Sequence, residues 1–253
     1  QNAIASIAEV IQKNDYKTFL LHGVTGSGKT QVYIESIKHT LELGKTAIVL
    51  VPEISLTPQA VERFKAHFGN LVAVLHSRMS MGERFDSWRK LQSGDFKIVI
   101  GARSAIFAPM QNLGLIVVDE EHENTYKQSD SVPKYHSRDN AVIRGSLNKA
   151  VVILGSATQS LESYYNAQTG KYELLELTKR IDGVPMPKVE LVDMRGEKDI
   201  HTESWQPVFS KPLRDAMHAA LHNKQQIILF QNRRGYANYI ECYDCGFVAE
   251  CPH

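Results

Sequence analysis

Cysteine is nearly missing from this chain: there are three in 253 residues, Cys242, Cys245 and Cys251, all close to the C-terminus. An odd, clustered count cannot staple a fold, so the core has to be held by burial rather than by disulfides. An excess of charge of one sign is missing too, since 29 Lys and Arg face 28 Asp and Glu for a formal net charge of +1. That excludes a global basic field, and any contact with nucleic acid must come from a local groove. No stretch approaches the roughly 18 consecutive apolar residues of a membrane span. The amphipathic opening at Ile4, Ile7, Val10 and Ile11 lacks the form of a signal peptide, so a soluble, cytoplasmic protein is expected. Internal repeats and low-complexity tracts are absent as well.

What is present is apolar and patterned. With 43% hydrophobic residues the chain can bury one large core, or one full domain plus part of another, and the second is expected. Apolar, β-branched runs at Thr18 to Leu21, Thr46 to Val51, Leu71 to Leu75, Lys97 to Ile100, Leu115 to Val118 and Val151 to Leu154 predict buried strands. Helical patterns lie between them at Gln31 to Leu43, Pro58 to Phe68, Gly82 to Leu91 and Arg138 to Leu147, with Leu161 to Ala167 after the last. This alternation predicts an α/β fold with a mainly parallel, doubly wound sheet and ligands beyond the carboxyl ends of its strands.

Residues 23 to 30, Gly-Val-Thr-Gly-Ser-Gly-Lys-Thr, form a complete GxxxxGKT directly after the first strand. Gly23, Gly26 and Gly28 let the backbone curl, with Thr25 and Ser27 between them, until successive N–H groups point at phosphate oxygens. Lys29 then reaches the outer phosphates, and the Thr30 hydroxyl can hold Mg²⁺. The second nucleotide element is Leu115 to Val118 followed by Asp119, Glu120, Glu121 and His122. A carboxylate at a strand end can orient Mg²⁺, which suits Asp119, and its neighbour Glu120 can take a proton from an attacking water. A phosphate loop with such a pair points to hydrolysis rather than mere binding.

Asp119-Glu120-Glu121-His122, with Gly155-Ser156-Ala157-Thr158 after the next strand, resembles the motor core of superfamily 2 helicases. Val51-Pro52-Glu53-Ile54-Ser55-Leu56-Thr57-Pro58-Gln59, the stretch Gly101 to Pro109, and Asn232-Arg233-Arg234-Gly235-Tyr236 ahead of the Cys pair narrow the resemblance to the PriA family of replication-restart helicases. It runs through essentially the whole chain. The resemblance implies a RecA-like P-loop NTPase domain that uses ATP and Mg²⁺ to move 3′ to 5′ on single-stranded DNA at forks. It also implies single-stranded DNA-binding protein and other primosome proteins as partners, and a place in the bacterial nucleoid.

On these residues the resemblance makes Lys29, Thr30, Asp119 and Glu120 the hydrolytic set, and His122, Ser156 and Thr158 the link from phosphate to DNA. Gln1 resembles the glutamine that reads adenine in related helicases, or is plain surface. Loop residues suited to a phosphate backbone are Pro52, Glu53, Ser55, His76, Ser77, Arg78, Arg103 and Ser104. Tyr126, Lys127, Lys134, Tyr135 and His136 fall where the family has an aromatic-rich loop that senses single-stranded DNA; the tyrosines either stack on bases or pack on the domain. Arg233 and Arg234 would serve DNA similarly, and Tyr236 after them either does the same or simply begins a strand.

The organisation expected is a first motor lobe over 1–178, a connecting segment rich in Pro and Gly over 179–207, the start of a second lobe over 208–241, and a partial zinc module over 242–253. A short strand is expected at Val189 to Val192, and in the second lobe a helix at Ser210 to His222 and a strand at Gln226 to Phe230. Cys242 and Cys245 form a CxxC beside Gly246; with Cys251 and His253 they supply four ligands in principle, or they open a larger module. The family module binds a pair of Zn²⁺ ions through more cysteines than this chain has, so zinc should be weak or missing here. The chain is expected to bind nucleotide and to hydrolyse it slowly, without the arginine a complete second lobe supplies. Two other readings stay open: another superfamily 2 DNA translocase, of the branch-migration or restriction type, and a fork-binding scaffold that does not hydrolyse nucleotide. The CxxC after Asn-Arg-Arg-Gly speaks against the first, and intact Lys29, Asp119 and Glu120 against the second.

Overall fold

The computed structural model describes residues 2–77, 79–129, 132–181, 183, 187–194, 209–230, 240–241 and 248–249. They fall into two units, Gln1–Pro185 and Met186–His253.

In the first unit helix α1 (Asn2–Gln12) precedes β1 (Thr18–Gly23), α2 (Lys29–Glu42), β2 (Thr46–Leu50), α3 (Pro58–Phe68), β3 (Val72–Leu75), α4 (Met81–Ser93) and β4 (Ile98–Gly101). There follow β5 (Leu113–Asp119), a two-stranded ribbon of β6 (Lys127–Gln128) and β7 (Tyr135–His136), α5 (Ser137–Asn148), β8 (Val151–Ser156), α6 (Leu161–Gln168) and β9 (Glu173–Leu177). The seven-stranded sheet has the order β3-β4-β2-β5-β8-β1-β9, and its strand pairs are parallel.

Alternation along each strand divides the core into two layers. Phe19, Leu21, Val49, Val117 and Ile153 pack with Ile7, Ile37, Phe64 and Phe68 of α1 to α3. Leu20, Ile48, Val118 and Leu154 face the other way, onto Leu91 of α4 and Ala141 of α5. Burying each such side chain is worth about 1.5–3 kcal/mol, so truncating one, for example Ile153 to Ala, would cost about 2–5 kcal/mol with its cavity.

Local chemistry sets the helix ends. Thr57 caps α3 by accepting from the Ala60 N–H at 3.2 Å, with Pro58 in the first turn. Ser80 and Glu83 form a reciprocal capping box on α4, which stops at Gly94 with φ 82°.

β9 was not among the expected strands. Its burial alternates along Glu-Leu-Leu-Glu-Leu as an edge strand's does, and the Glu residues break the apolar run by which buried strands are recognised. The strand expected at Val189 to Val192 does not form. In the second unit Ser210 caps α7 (Lys211–His222) by accepting from the Leu213 N–H at 3.3 Å, and β10 (Ile240–Glu241) pairs antiparallel with β11 (Val248–Ala249). The strand expected at Gln226 to Phe230 is absent, and Ile228 and Phe230 are 93% and 86% exposed. An apolar run becomes a strand by pairing its backbone with a neighbour, and this one has none among the described residues. No helix of the described residues is long and apolar enough to cross a membrane.

Candidate functional site: a phosphate cradle and a second groove

Register brings the motifs to one level. Asp119 of β5 pairs with Gly155 of β8, and His22 of β1 pairs with Ser156 of β8. The phosphate loop, the acidic run and the Gly-Ser-Ala-Thr segment therefore leave the sheet side by side, at its carboxyl edge.

The loop from Gly23 to Lys29 is shaped by its glycines. Gly26 and Gly28 have φ of 79° and 94°, a region a side chain strains to adopt. A Cβ on Gly23 would overlap Ser27 Oγ and stand 3.1 Å from Lys29 Cγ. Helix α2 starts at Gly28 without a side-chain cap, so its positive end is left for an anion. Ser27 Oγ is buried with no hydrogen-bond partner among the described residues, and such a group calls for one. Lys29 Nζ donates to the Gly23 carbonyl at 2.7 Å and lies 4.0 Å from Glu120 Oε1. Thr25, Thr30, Asp119 and Glu120 line the same cavity, of about 510 Å³. An orphaned hydroxyl, an uncapped helix, a lysine and two carboxylates suit a polyphosphate with a divalent cation, so the residues present fit Mg²⁺ and a nucleoside triphosphate.

Adjacent acids take different environments. Glu120 has φ 45°, a conformation costing about 1–3 kcal/mol that the surroundings must enforce. Burial raises the carboxyl of Asp119 above its usual range, against a donated Tyr33 hydrogen bond that lowers it. Glu121 turns inward. Beyond them, His122 Nδ1 is 2.8 Å from Ser156 Oγ, His122 Nε2 is 3.4 Å from Thr158 Oγ1, and Ser156 Oγ is 3.5 Å from Glu120 Oε2. The Thr158 N–H donates to Ser156 Oγ at 2.9 Å. The three residues expected to couple are thus linked to each other and to Glu120.

A second cavity of about 390 Å³ gathers Glu53, His76, Ser77, Arg103, Ser104, Tyr126, Lys127 and Tyr135, with Arg84 added. Ser77 Oγ donates to Glu53. Arg103 Nη1 donates to the Lys127 carbonyl at 2.9 Å and braces the ribbon. Ser55 lies elsewhere, in a small cavity with Thr30, Tyr33 and Asp119, and Pro52 is buried, its carbonyl accepting from the Ser55 N–H at 2.8 Å.

Stacking by Tyr126 is corrected by the structure: the ring is 1% exposed, and its hydroxyl donates to the Asp119 carbonyl at 2.6 Å. Tyr126 thus packs on the domain, while Tyr135 is half-buried and Lys134 exposed. Tyr135 meets Phe107 edge-on at 4.9 Å between centroids.

Gln1, Arg78, Arg233, Arg234, Tyr236, Cys242, Cys245 and Cys251 lie outside the described residues. Among the described residues no group of three or more His, Cys, Asp or Glu is placed to hold a metal ion.

Sequence reasoning missed Arg63 and His67, which line the phosphate cavity from α3 together with Ile181. Their i, i+4 spacing beside the apolar face of an amphipathic helix was the available signal. It also missed Arg180, whose guanidinium lies over Gly26, and Tyr33.

Fold and site together define a RecA-like P-loop domain. The DEAD/DEAH box helicase family description matches residues 1–167, and the chain belongs to that family. It is 51% identical over 251 residues to the replication restart protein PriA of Bacillus subtilis (strain 168), covering 99% of this chain and 31% of that protein. To PriA of Haemophilus influenzae it is 43% identical over 253 residues, covering 34% of that protein. The chain thus spans about a third of the length of these relatives. Among solved structures the DUF1998 helicase MrfA aligns with a TM-score of 0.54 at 21% identity, over 91% of this chain and 36% of that one, a likeness of fold.

Proposed function

We propose that this chain is the nucleotide-hydrolysing core of an ATP-driven DNA helicase that moves 3′ to 5′ and acts in replication restart. The observation that carries the reading is the continuous contact from Lys29 through Glu120 to Ser156, His122 and Thr158. It joins a phosphate cradle to the segment that follows β8, the kind of link a motor needs between hydrolysis and its track. Similarity to PriA proteins supports the choice of forked DNA as substrate, and of single-stranded DNA-binding protein and primosome components as partners.

In this reading Mg²⁺ supplies charge neutralisation at the outer phosphates. Thr30 and Asp119 would hold it, Lys29 would orient the terminal phosphate, and Glu120 would accept the proton of the attacking water. His122, Ser156 and Thr158 would exchange hydrogen-bond partners when the phosphate leaves. His76, Ser77, Arg103, Ser104 and Lys127 would line the path of a single strand, whose backbone is held without regard to sequence.

Residues 1–178 would be the first motor lobe, 179–207 a connector, 208–241 the start of a second lobe, and 242–253 part of a zinc module. Turnover of ATP with and without single-stranded DNA, measured in a protein of the relatives' full length, tests the reading. Stimulated turnover lost in Lys29→Ala and Glu120→Gln is the expected result; unstimulated turnover would favour a scaffold.

A further inference from the structure

Helix α2 carries a single tyrosine, Tyr33, amid aliphatic residues. Its ring is 1% exposed and sits in the apolar layer with Ile37, Val49 and Val117. Packing alone would be served there by an aliphatic side chain, because a buried phenol needs a hydrogen-bond partner. The partner is Asp119: Tyr33 Oη donates to Asp119 Oδ1 at 2.9 Å. A phenol is protonated at neutral pH and can donate this bond. Space for it comes from a third element. Gly155 lies opposite Asp119 in the β5–β8 register, and a Cβ there would overlap Tyr33 Oη and stand 2.9 Å from Cζ. Tyr33, Thr30 and Asp119 also share one wall of the small cavity that contains Ser55.

We propose that Tyr33 is a positioning residue for the metal side of the site: its phenol fixes the rotamer of Asp119, and Gly155 is bare so that the phenol can reach it. The inference rests on the assignment of Asp119 and Thr30 to Mg²⁺ made above. Groups that orient a metal-binding carboxylate set metal affinity, and removing one typically costs about 10–100-fold. Neighbours that merely pack do not act selectively on the metal.

The test is calorimetric binding of ADP and of a non-hydrolysable ATP analogue to the 253-residue chain, in a MgCl₂ series and in EDTA. Tyr33→Phe keeps the ring and removes the donor. The Mg²⁺ concentration giving half of the metal-dependent gain in nucleotide affinity is expected to rise about tenfold, with affinity in EDTA unchanged. Gly155→Ala should raise the same midpoint by pushing the phenol aside, and adding Tyr33→Phe to it should add little. Equal midpoints for Tyr33→Phe and the parent would overturn the proposal. So would an equal loss in EDTA, which would make Tyr33 a packing residue of the phosphate loop. A parent chain indifferent to Mg²⁺ would instead sink the assignment of Asp119 and Thr30, and this inference with it.

Discussion

Glu121 is fully buried, and its Oε2 accepts from Arg138 Nη1 at 3.2 Å. The same carboxylate accepts from the Ser160 N–H at 2.7 Å, the Ser160 hydroxyl at 3.0 Å and the Ser163 hydroxyl at 2.8 Å. Ser160 also caps α6. One side chain thus ties the acidic loop after β5 to the starts of α5 and α6, directly behind the Gly-Ser-Ala-Thr segment. The left-handed turn at Glu120 divides the labour: Glu120 faces Lys29 in the cradle while its neighbour is spent on the frame.

Glu121→Ala should therefore destabilise the first unit by about 1–3 kcal/mol, because it strips the Ser160 N–H and the Ser160 and Ser163 hydroxyls of their buried acceptor, while Arg138 keeps Asp139 at 3.0 Å. Urea unfolding followed by circular dichroism reads the loss. Glu121→Gln should recover part of it, because the amide oxygen still offers Ser160 and Ser163 an acceptor although the charge is gone.

Tyr126 separates two accounts of the loop that contains it. Because its ring is closed in and its hydroxyl is engaged with the Asp119 carbonyl, Tyr126→Phe should cost about 1 kcal/mol of stability and leave affinity for a single-stranded oligonucleotide unchanged. Phe keeps a stacking face, so Tyr126→Phe isolates the link to Asp119, and Tyr126→Leu separates the accounts: base stacking predicts weaker oligonucleotide binding, whereas packing on the domain predicts lost stability with binding unchanged. Fluorescence anisotropy with a labelled oligonucleotide measures the binding side.

The sheet was legible because its central strands are buried on both faces, and Phe19, Ile48, Ile116 and Ile153 stand in unbroken apolar runs. The cradle was legible because its backbone geometry demands glycine at Gly26 and Gly28, which leaves a pattern in sequence. Tyr33 and the inward turn of Glu121 left no such pattern. Their places depend on which strand lies beside which, as β5, β8 and β1 do, and order in a sheet is set by long-range pairing that local sequence does not encode. Edge strand β9 and the exposed run at Ile228 failed for the opposite reason: alternation or apolarity alone does not say whether a partner strand is at hand.

Gly28 offers a test of the cradle itself. At φ 94° an alanine would be strained by about 1–2 kcal/mol, and its Cβ would stand 3.0 Å from Ile181 Cδ1. Gly28→Ala should lower stability by that amount and reduce ADP affinity about tenfold, the equivalent of some 1.4 kcal/mol. Thermal unfolding with and without ADP checks both, and the stabilisation that ADP confers on the parent should shrink in the variant.

His136 ends the ribbon and precedes α5, with Nδ1 buried and without a partner among the described residues. Burial lowers its pKa; Arg138 and Lys127 act in the same direction, while Asp139 and Glu121 oppose them. A depressed folded pKa means that the fold favours neutral imidazole. The stability this residue contributes is accordingly complete above the ordinary value of about 6.5 and falls away as pH drops through the lower folded value. His136→Gln cannot take up that proton, so the gap between the stabilities of variant and parent should shift in favour of the variant between pH 7 and about pH 5. Urea midpoints measured at half-unit steps across that window check the sign. A gap that stayed constant with pH would show that the imidazole titrates alike in the folded and unfolded chain.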